Sequence, residues 1–155
     1  MGKIKFGVTL DAVPEMLLKS DYKSIREMAL QCENLGYYSL WVMDHLNWEG
    51  GSVFEAWTLL SALSIETKKT RLGTMMACNS FRNPALTAKI GATLDVISNG
   101  RLILGYGAGW KQDEYESYGF PFPESRIRVK QMREDIKVIK KLWTEERPSF
   151  RGDFY

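Results

Sequence analysis

Four short apolar segments recur along the chain at nearly even spacing, and that recurrence constrains the fold more than any single motif does. The segments are Ile4–Leu10, Tyr38–Met43, Arg71–Ala77 and Leu102–Tyr106. The interval between their starts, roughly 30 residues, is the size of one strand plus its crossover helix. Each segment is apolar on both faces, the pattern of parallel strands covered on two sides. A helical pattern follows each one. After the first, Ser20 or Asp21 is placed to cap a helix whose stripe is Ile25, Met28, Ala29, Cys32 and Leu35, and Gly36 supplies a left-handed stop. After the second comes Phe54–Ile65, rich in Ala, Leu and Trp. After the third, Asn83-Pro84 gives a cap and a proline at the first helical position. That helix runs through Leu86, Ile90, Leu94 and Ile97, and Asn99-Gly100 stops it. After the fourth, a short turn at Asp113–Tyr118 precedes Pro121 and Pro123. A long helix then carries Val129, Met132, Ile136, Ile139 and Trp143 on one face and ends before Pro148.

The expected class is therefore α/β, with four consecutive βα units, a parallel sheet, no linker and a single domain over residues 1–155. Two architectures accept such a run: an open doubly wound sheet, and a (β/α)8 barrel, which takes about 250 residues. Periodicity alone leaves both open. The 155 residues are 45% hydrophobic and carry a formal net charge of +2. That composition is globular, and it lacks the basic excess of a nucleic-acid-binding protein. No stretch approaches the length of a membrane span. Cys32 and Cys78 stand in no metal-ligand or CxxC spacing, which suits a reducing, cytoplasmic setting.

In parallel α/β folds the carboxyl ends of the strands carry the site. The second segment ends in Asp44-His45, and His45 is the only histidine. An imidazole there can serve as a general acid or base, or simply be bonded within its loop. The third segment ends in GTMMACNSFRNP. Met75 and Met76 read as core filler by type, Cys78 as small packing, and Arg82 as a solvated loop cation or an anion contact. The fourth runs into GYGAGWKQDEY. Its GxGxG spacing, after a fourth strand, is not the dinucleotide fingerprint. Asp113 and Glu114 suit the first turn of a helix. There is no GxSxG nucleophile motif and no cluster of metal ligands. A site with few acid/base groups and several glycines and aromatics suits a cofactor that brings its own chemistry.

Three runs carry a family resemblance: LGYYSLWVMDHL, then EAWTLLSALSIETKKTRLGTMMACNSFRNPALTAKIGATLDVISNGRLILGYGAGW, then DEYESYGFPFPESRIRVKQMREDIKVIKKLWTEERPSFRGDFY. In order and spacing the chain resembles the luciferase-like monooxygenases, most closely their branch that uses the deazaflavin coenzyme F-420. The resemblance implies one half of a (β/α)8 TIM barrel, the N-terminal four units. It also implies an oxidoreductase or monooxygenase that uses F-420, or alternatively FMN, on a small organic substrate. Asp44 and His45 match the pair beside the cofactor ring, with His45 in proton transfer or substrate contact. Met75 and Met76 match a non-prolyl cis peptide behind the ring. Gly107, Ala108 and Gly109 match the loop lining the cofactor, and Asp113 a contact to its ring or tail. Trp110 stands where some F-420 dehydrogenases carry an acidic proton donor, work an indole cannot do. Family members are about twice as long as this chain. The resemblance therefore implies a half-barrel that self-associates as a homo-oligomer or belongs to a longer gene. The alternative is a non-catalytic module that binds cofactor or its own copies.

Overall fold

A computed structural model describes residues 4–10, 21–48 and 51–155. In chain order the elements are β1 (Gly7–Thr9), α1 (Tyr22–Asn34), β2 (Ser39–Val42), the short strands β3 (Asn47–Trp48) and β4 (Gly51–Ser52), α2 (Ala56–Glu66), β5 (Arg71–Thr74), β6 (Ala77–Cys78), a 3-10 turn (Asn79–Phe81), α3 (Pro84–Ile97), β7 (Leu102–Ile103), β8 (Tyr106–Gly107), α4 (Gln112–Tyr118) and α5 (Ser125–Thr144). They fall into two compact units. One comprises Met1–Ala77 with Leu94–Gly105, the other Cys78–Thr93 with Tyr106–Tyr155.

The first unit holds a parallel sheet in the order β1-β2-β5-β7, so each strand lies beside its predecessor in the βα series. These are the four expected strands, β1 and β2 shortened at both ends and β5 and β7 at the C-terminal end only. The register pairs Leu40 with Leu72 and Trp41 with Gly73. Leu40, Val42, Leu72 and Thr74 are fully buried on one face, and α2 packs on β2 and β5. On the other face Trp41 lies flat across β5. A Cβ on Gly73 would stand 2.5 Å from its ring, so only glycine leaves room for it.

The helix termini follow the local chemistry. The Asp21 carboxylate accepts the Ser24 amide at 2.9 Å and caps α1; Ser20, the other expected cap, lies outside the described residues. Ile25, Ala29 and Cys32 are buried as the stripe requires. Leu35 is 77% exposed, because the helix ends at Asn34 and the chain turns out through Gly36 at φ +83°. In α3 the expected stripe is correct only at Leu94. Leu86 and Ile97 are exposed, and the buried positions are Pro84, Thr87, Ala88, Gly91 and Leu94. The packed face is the one with small side chains, where neighbouring backbone can come closest. Trp143 of α5 uses that access, its indole N–H donating to the Ala88 carbonyl at 2.9 Å.

The run LDVISNGR, part of the stretch that carries the family resemblance, is a folding corner. Asn99 and Gly100 take positive φ of 59° and 77°. Asp95 Oδ1 accepts the Leu102 amide at 3.0 Å, starting β7. Arg101 is buried, and its guanidinium donates to the carbonyls of Ser64, Thr67, Thr70 and Ser98 and to the Thr67 hydroxyl. It thereby satisfies carbonyls that the ends of α2 and α3 leave without intrahelical partners.

In the second unit, Arg128, Asp135 and Ile139 are the buried positions of α5, which packs on the 3-10 turn. Phe81 stacks at a tilt on both Tyr115 and Phe120, and Phe122 meets the Tyr115 ring edge-on at 4.8 Å. The Arg128 guanidinium sits 4.1 Å over Phe122. Glu134 accepts the backbone amides of Asp153 and Phe154 at 3.0 Å each, tying the C-terminal residues to α5. No helix among the described residues is long and apolar enough to cross a membrane.

Candidate functional site

Parallel strands bring their carboxyl ends to one edge, so the residues just beyond β2 and β5 share one edge of the first unit. The Met75 amide donates to the Val42 carbonyl at 2.8 Å, extending the ladder past both strands. Beyond Val42 come Met43, Asp44 and His45. Asp44 is 4% exposed, a carboxyl group withdrawn from solvent immediately behind the histidine. His45 is half-buried, and its ring meets the Trp48 indole edge-on with centroids 4.6 Å apart. An apolar cleft opens here, lined by Met43, His45, Trp48, Val53, Phe54 and Leu59.

The Met75–Met76 peptide is cis, as the resemblance implies. The two side chains are 40% and 50% exposed. Their reading by residue type as core filler is therefore incorrect. The ladder ends with the Met75 amide, and the chain beyond it leaves both side chains partly exposed before β6. Flexible, polarisable side chains presented this way suit contact with a flat ring.

Gly105 explains itself by the same edge. Its carbonyl accepts the Thr74 hydroxyl at 2.7 Å and the Ala77 amide at 2.9 Å. A Cβ on it would lie 2.1 Å from the Thr74 carbonyl oxygen. The first glycine of GYGAG thus answers to a neighbouring strand rather than to a ligand.

The second unit contains Gly107, Ala108, Gly109 and Asp113. Gly107 ends β8, and the residues from Tyr106 to Gly109 are all half-buried. Gly109 has φ +69°, and a Cβ there would fall 1.9 Å from the Tyr115 hydroxyl and 2.8 Å from the Cys78 sulfur. Cys78 Sγ and Tyr115 Oη are 3.1 Å apart, both buried. Burial and the thiol contact push the Tyr115 phenol well above its ordinary range, so it stays protonated. Trp110 is 66% exposed. Asp113 stands exposed in the first turn of α4 and pairs with Lys111, whose ammonium holds its carboxyl below the usual range. Arg82 is half-buried at the end of the 3-10 turn.

Four side chains that shape these places escape a motif reading. Trp48 ends the two-residue strand β3, which is too short to show strand periodicity. Tyr106, Tyr115 and Asp135 acquire their roles only through tertiary contact. The signal that could have found Tyr115 is the acidic, exposed pattern of QDEYESY, in which one large aromatic must face inward. Among the described residues, no three potential metal ligands cluster.

The luciferase-like monooxygenase profile matches residues 4–155. The F-420-dependent glucose-6-phosphate dehydrogenase of Amycolatopsis mediterranei is 39% identical over 137 residues, which is 86% of this chain and 41% of that relative. An F-420-dependent secondary alcohol dehydrogenase, solved with an F-420–acetone adduct, superposes with a TM-score of 0.85 at 28% identity. That match covers 99% of this chain and 46% of the other. The oxygenating constituent of 3,6-diketocamphane monooxygenase from Pseudomonas putida, solved with FMN, shares the fold with a TM-score of 0.82 at 20% identity, covering 98% of this chain and 42% of that one. The chain thus spans less than half the length of the relatives it matches. With a profile that runs through essentially the whole sequence, a parallel α/β sheet and solved structures of the same fold, the chain belongs to the luciferase-like monooxygenase family.

Proposed function

We propose that this chain forms part of an oxidoreductase that holds a deazaflavin, coenzyme F-420, against the ends of β2 and β5, with FMN as the alternative. The observation that carries the reading is the pair of half-exposed side chains of Met75 and Met76 on the same strand-end edge as Asp44 and His45. Two half-exposed methionines at the strand ends that also carry His45 and its aromatic-lined cleft fit a flat, largely apolar ring. When bound, such a cofactor supplies hydride-transfer chemistry. The chain's own residues supply the rest. Met75 and Met76 present the ring-bearing surface. His45 moves the proton that accompanies hydride transfer, and Trp48 fixes the plane of its imidazole. Asp44 is the buried carboxyl group beside it. In the second unit, Gly107, Ala108, Gly109 and Asp113 are the positions that the family resemblance assigns to cofactor contact.

The named relatives favour F-420 over FMN, since the F-420 users are the more similar in sequence. Trp110 counts against the acid-assisted chemistry of the sugar-phosphate dehydrogenases, and the likeness to an F-420-dependent secondary alcohol dehydrogenase points instead to a small alcohol or ketone. The test is a fluorescence titration with F-420 and, separately, FMN, followed by F-420 reduction with 2-propanol or glucose 6-phosphate as donor. Saturable F-420 binding and turnover with 2-propanol are expected. His45→Gln lowers turnover by about 100-fold or more and leaves cofactor affinity within about threefold, the signature of a lost acid–base group. Absence of saturable binding to either cofactor ends the reading.

One observation favours a second reading. The sheet has its edges at β1 and β7, whereas the relatives carry more than twice the length of chain. We read the sheet as the first four-unit arc of an eight-unit barrel. The arc is completed by further polypeptide or by a second copy, and without completion it binds cofactor with no turnover. Sedimentation separates these: a concentration-dependent dimer supports completion by a second copy, and a monomer at all concentrations opposes it.

A further inference from the structure

The segment Gly107-Ala108-Gly109 has almost no side chains with which to hold itself in place. Each glycine raises the entropy lost on fixing the backbone. A surface meant to meet a ligand in one geometry needs supporting contacts of its own. Those contacts come from two phenols in the second unit. At the leading end, the Tyr106 hydroxyl donates to Asp135 Oδ2 of α5 at 3.1 Å, and Tyr155 and Asn79 flank the same carboxyl group. At the trailing end, the fully buried Tyr115 of α4 puts its hydroxyl 3.1 Å from Cys78 Sγ and 3.5 Å from the Ala108 carbonyl oxygen. It also fills the space that a side chain at position 109 would occupy. Phe81 and Phe122 pack on the Tyr115 ring and fix its approach.

We infer that Tyr106 and Tyr115 are positioning residues, whose hydroxyls, anchored on α5 and Cys78, clamp the backbone of Tyr106–Gly109 at both ends. The consequence for cofactor binding rests on the function proposed above; the clamp itself does not. Neither phenol needs to touch cofactor or substrate. Their effect reaches the ligand through the backbone between them.

The experiment uses the full chain, with Tyr106→Phe and Tyr115→Phe made separately so that a folding failure in one leaves the other. Each variant keeps its ring and loses one hydroxyl. Amide hydrogen exchange is followed without ligand, and F-420 affinity is measured in parallel. The clamp predicts exchange at residues 107–109 faster by about five- to tenfold, the factor one net hydrogen bond supplies. Exchange in the second half of α5 stays at the wild-type rate, and F-420 affinity falls by a similar factor. Unchanged exchange at 107–109 in the folded variants overturns the inference. Exchange that rises equally throughout α4 and α5 also overturns it, because the hydroxyls then serve only general packing. Accelerated loop exchange in a chain whose wild type binds neither F-420 nor FMN supports the clamp and rejects the proposed function.

Discussion

Arg101 shows how much a single side chain can hold. Its guanidinium is buried and donates five hydrogen bonds, four of them to main-chain carbonyls at 2.6–3.0 Å. Burial presses its pKa below the ordinary value, but arginine remains charged throughout the accessible range. Lysine brings three donors on a flexible stem and cannot reproduce the fork. Arg101→Lys therefore leaves buried carbonyls unsatisfied, and a loss of about 3 kcal/mol is expected, read as a lower denaturant midpoint at unchanged slope. Gly105→Ala is expected to be comparably damaging, since the new methyl group meets the Thr74 carbonyl oxygen at 2.1 Å, where only backbone could move. The sequence displays both residues without their reasons. GR in LDVISNGR is legible as part of a family pattern, yet its role depends on carbonyls more than 30 residues away. Met75 and Met76 are the reverse case. Their type suggests a core, and only their place where the ladder ends exposes them.

The elements were more legible than the residues, because strand and helix patterns are local. Apolar runs marked all four strands of the sheet, and Asp21, Gly36, Asn83 and Asn99-Gly100 marked helix ends where they stand. The α3 stripe failed for a physical reason: periodicity selects the largest apolar side chains, whereas packing selected the small ones that permit close approach. The short β3 and β4 strands at Asn47–Trp48 and Gly51–Ser52 had no apolar alternation to announce them. Between elements, Glu33 of α1 provides a tether that no pattern reveals. Its carboxylate accepts the amides of Lys68, Lys69 and Thr70 at 2.7–3.0 Å, joining α1 to the loop before β5. Partial burial raises its pKa, but the three amides outweigh that and hold it below the ordinary 4.5. A depressed carboxylate adds stability above its unfolded pKa and loses it as pH falls through the folded value. Glu33→Gln should therefore cost about 1–2 kcal/mol at pH 7. The gap to wild type should close as pH drops below 4.5, measured by thermal melts at successively lower pH. A gap that stays constant with pH would assign the tether to packing.

At the scale of the whole molecule, periodicity reached the α/β class, and the partial barrel came only with the family resemblance. Strand spacing is the same for an open sheet and for an arc of a barrel, and the choice between them rests on the family's solved structures. The candidate site was half legible. Asp44, His45 and the cis Met75–Met76 peptide were expected at strand ends and stand there, whereas the phenol supports around Gly107–Gly109 arise from contacts that no spacing encodes. The central claim is that a flat redox cofactor rests on Met75 and Met76. The most direct test is a titration of methyl-13C-methionine-labelled protein with F-420, and then with FMN, followed by methionine methyl resonances assigned by Met75→Leu and Met76→Leu. A saturable upfield ring-current shift of both the Met75 and Met76 methyls, with Met28 and Met132 unmoved, is the predicted result. Binding that shifts neither of the two methyls, or saturating cofactor that shifts none, contradicts the account.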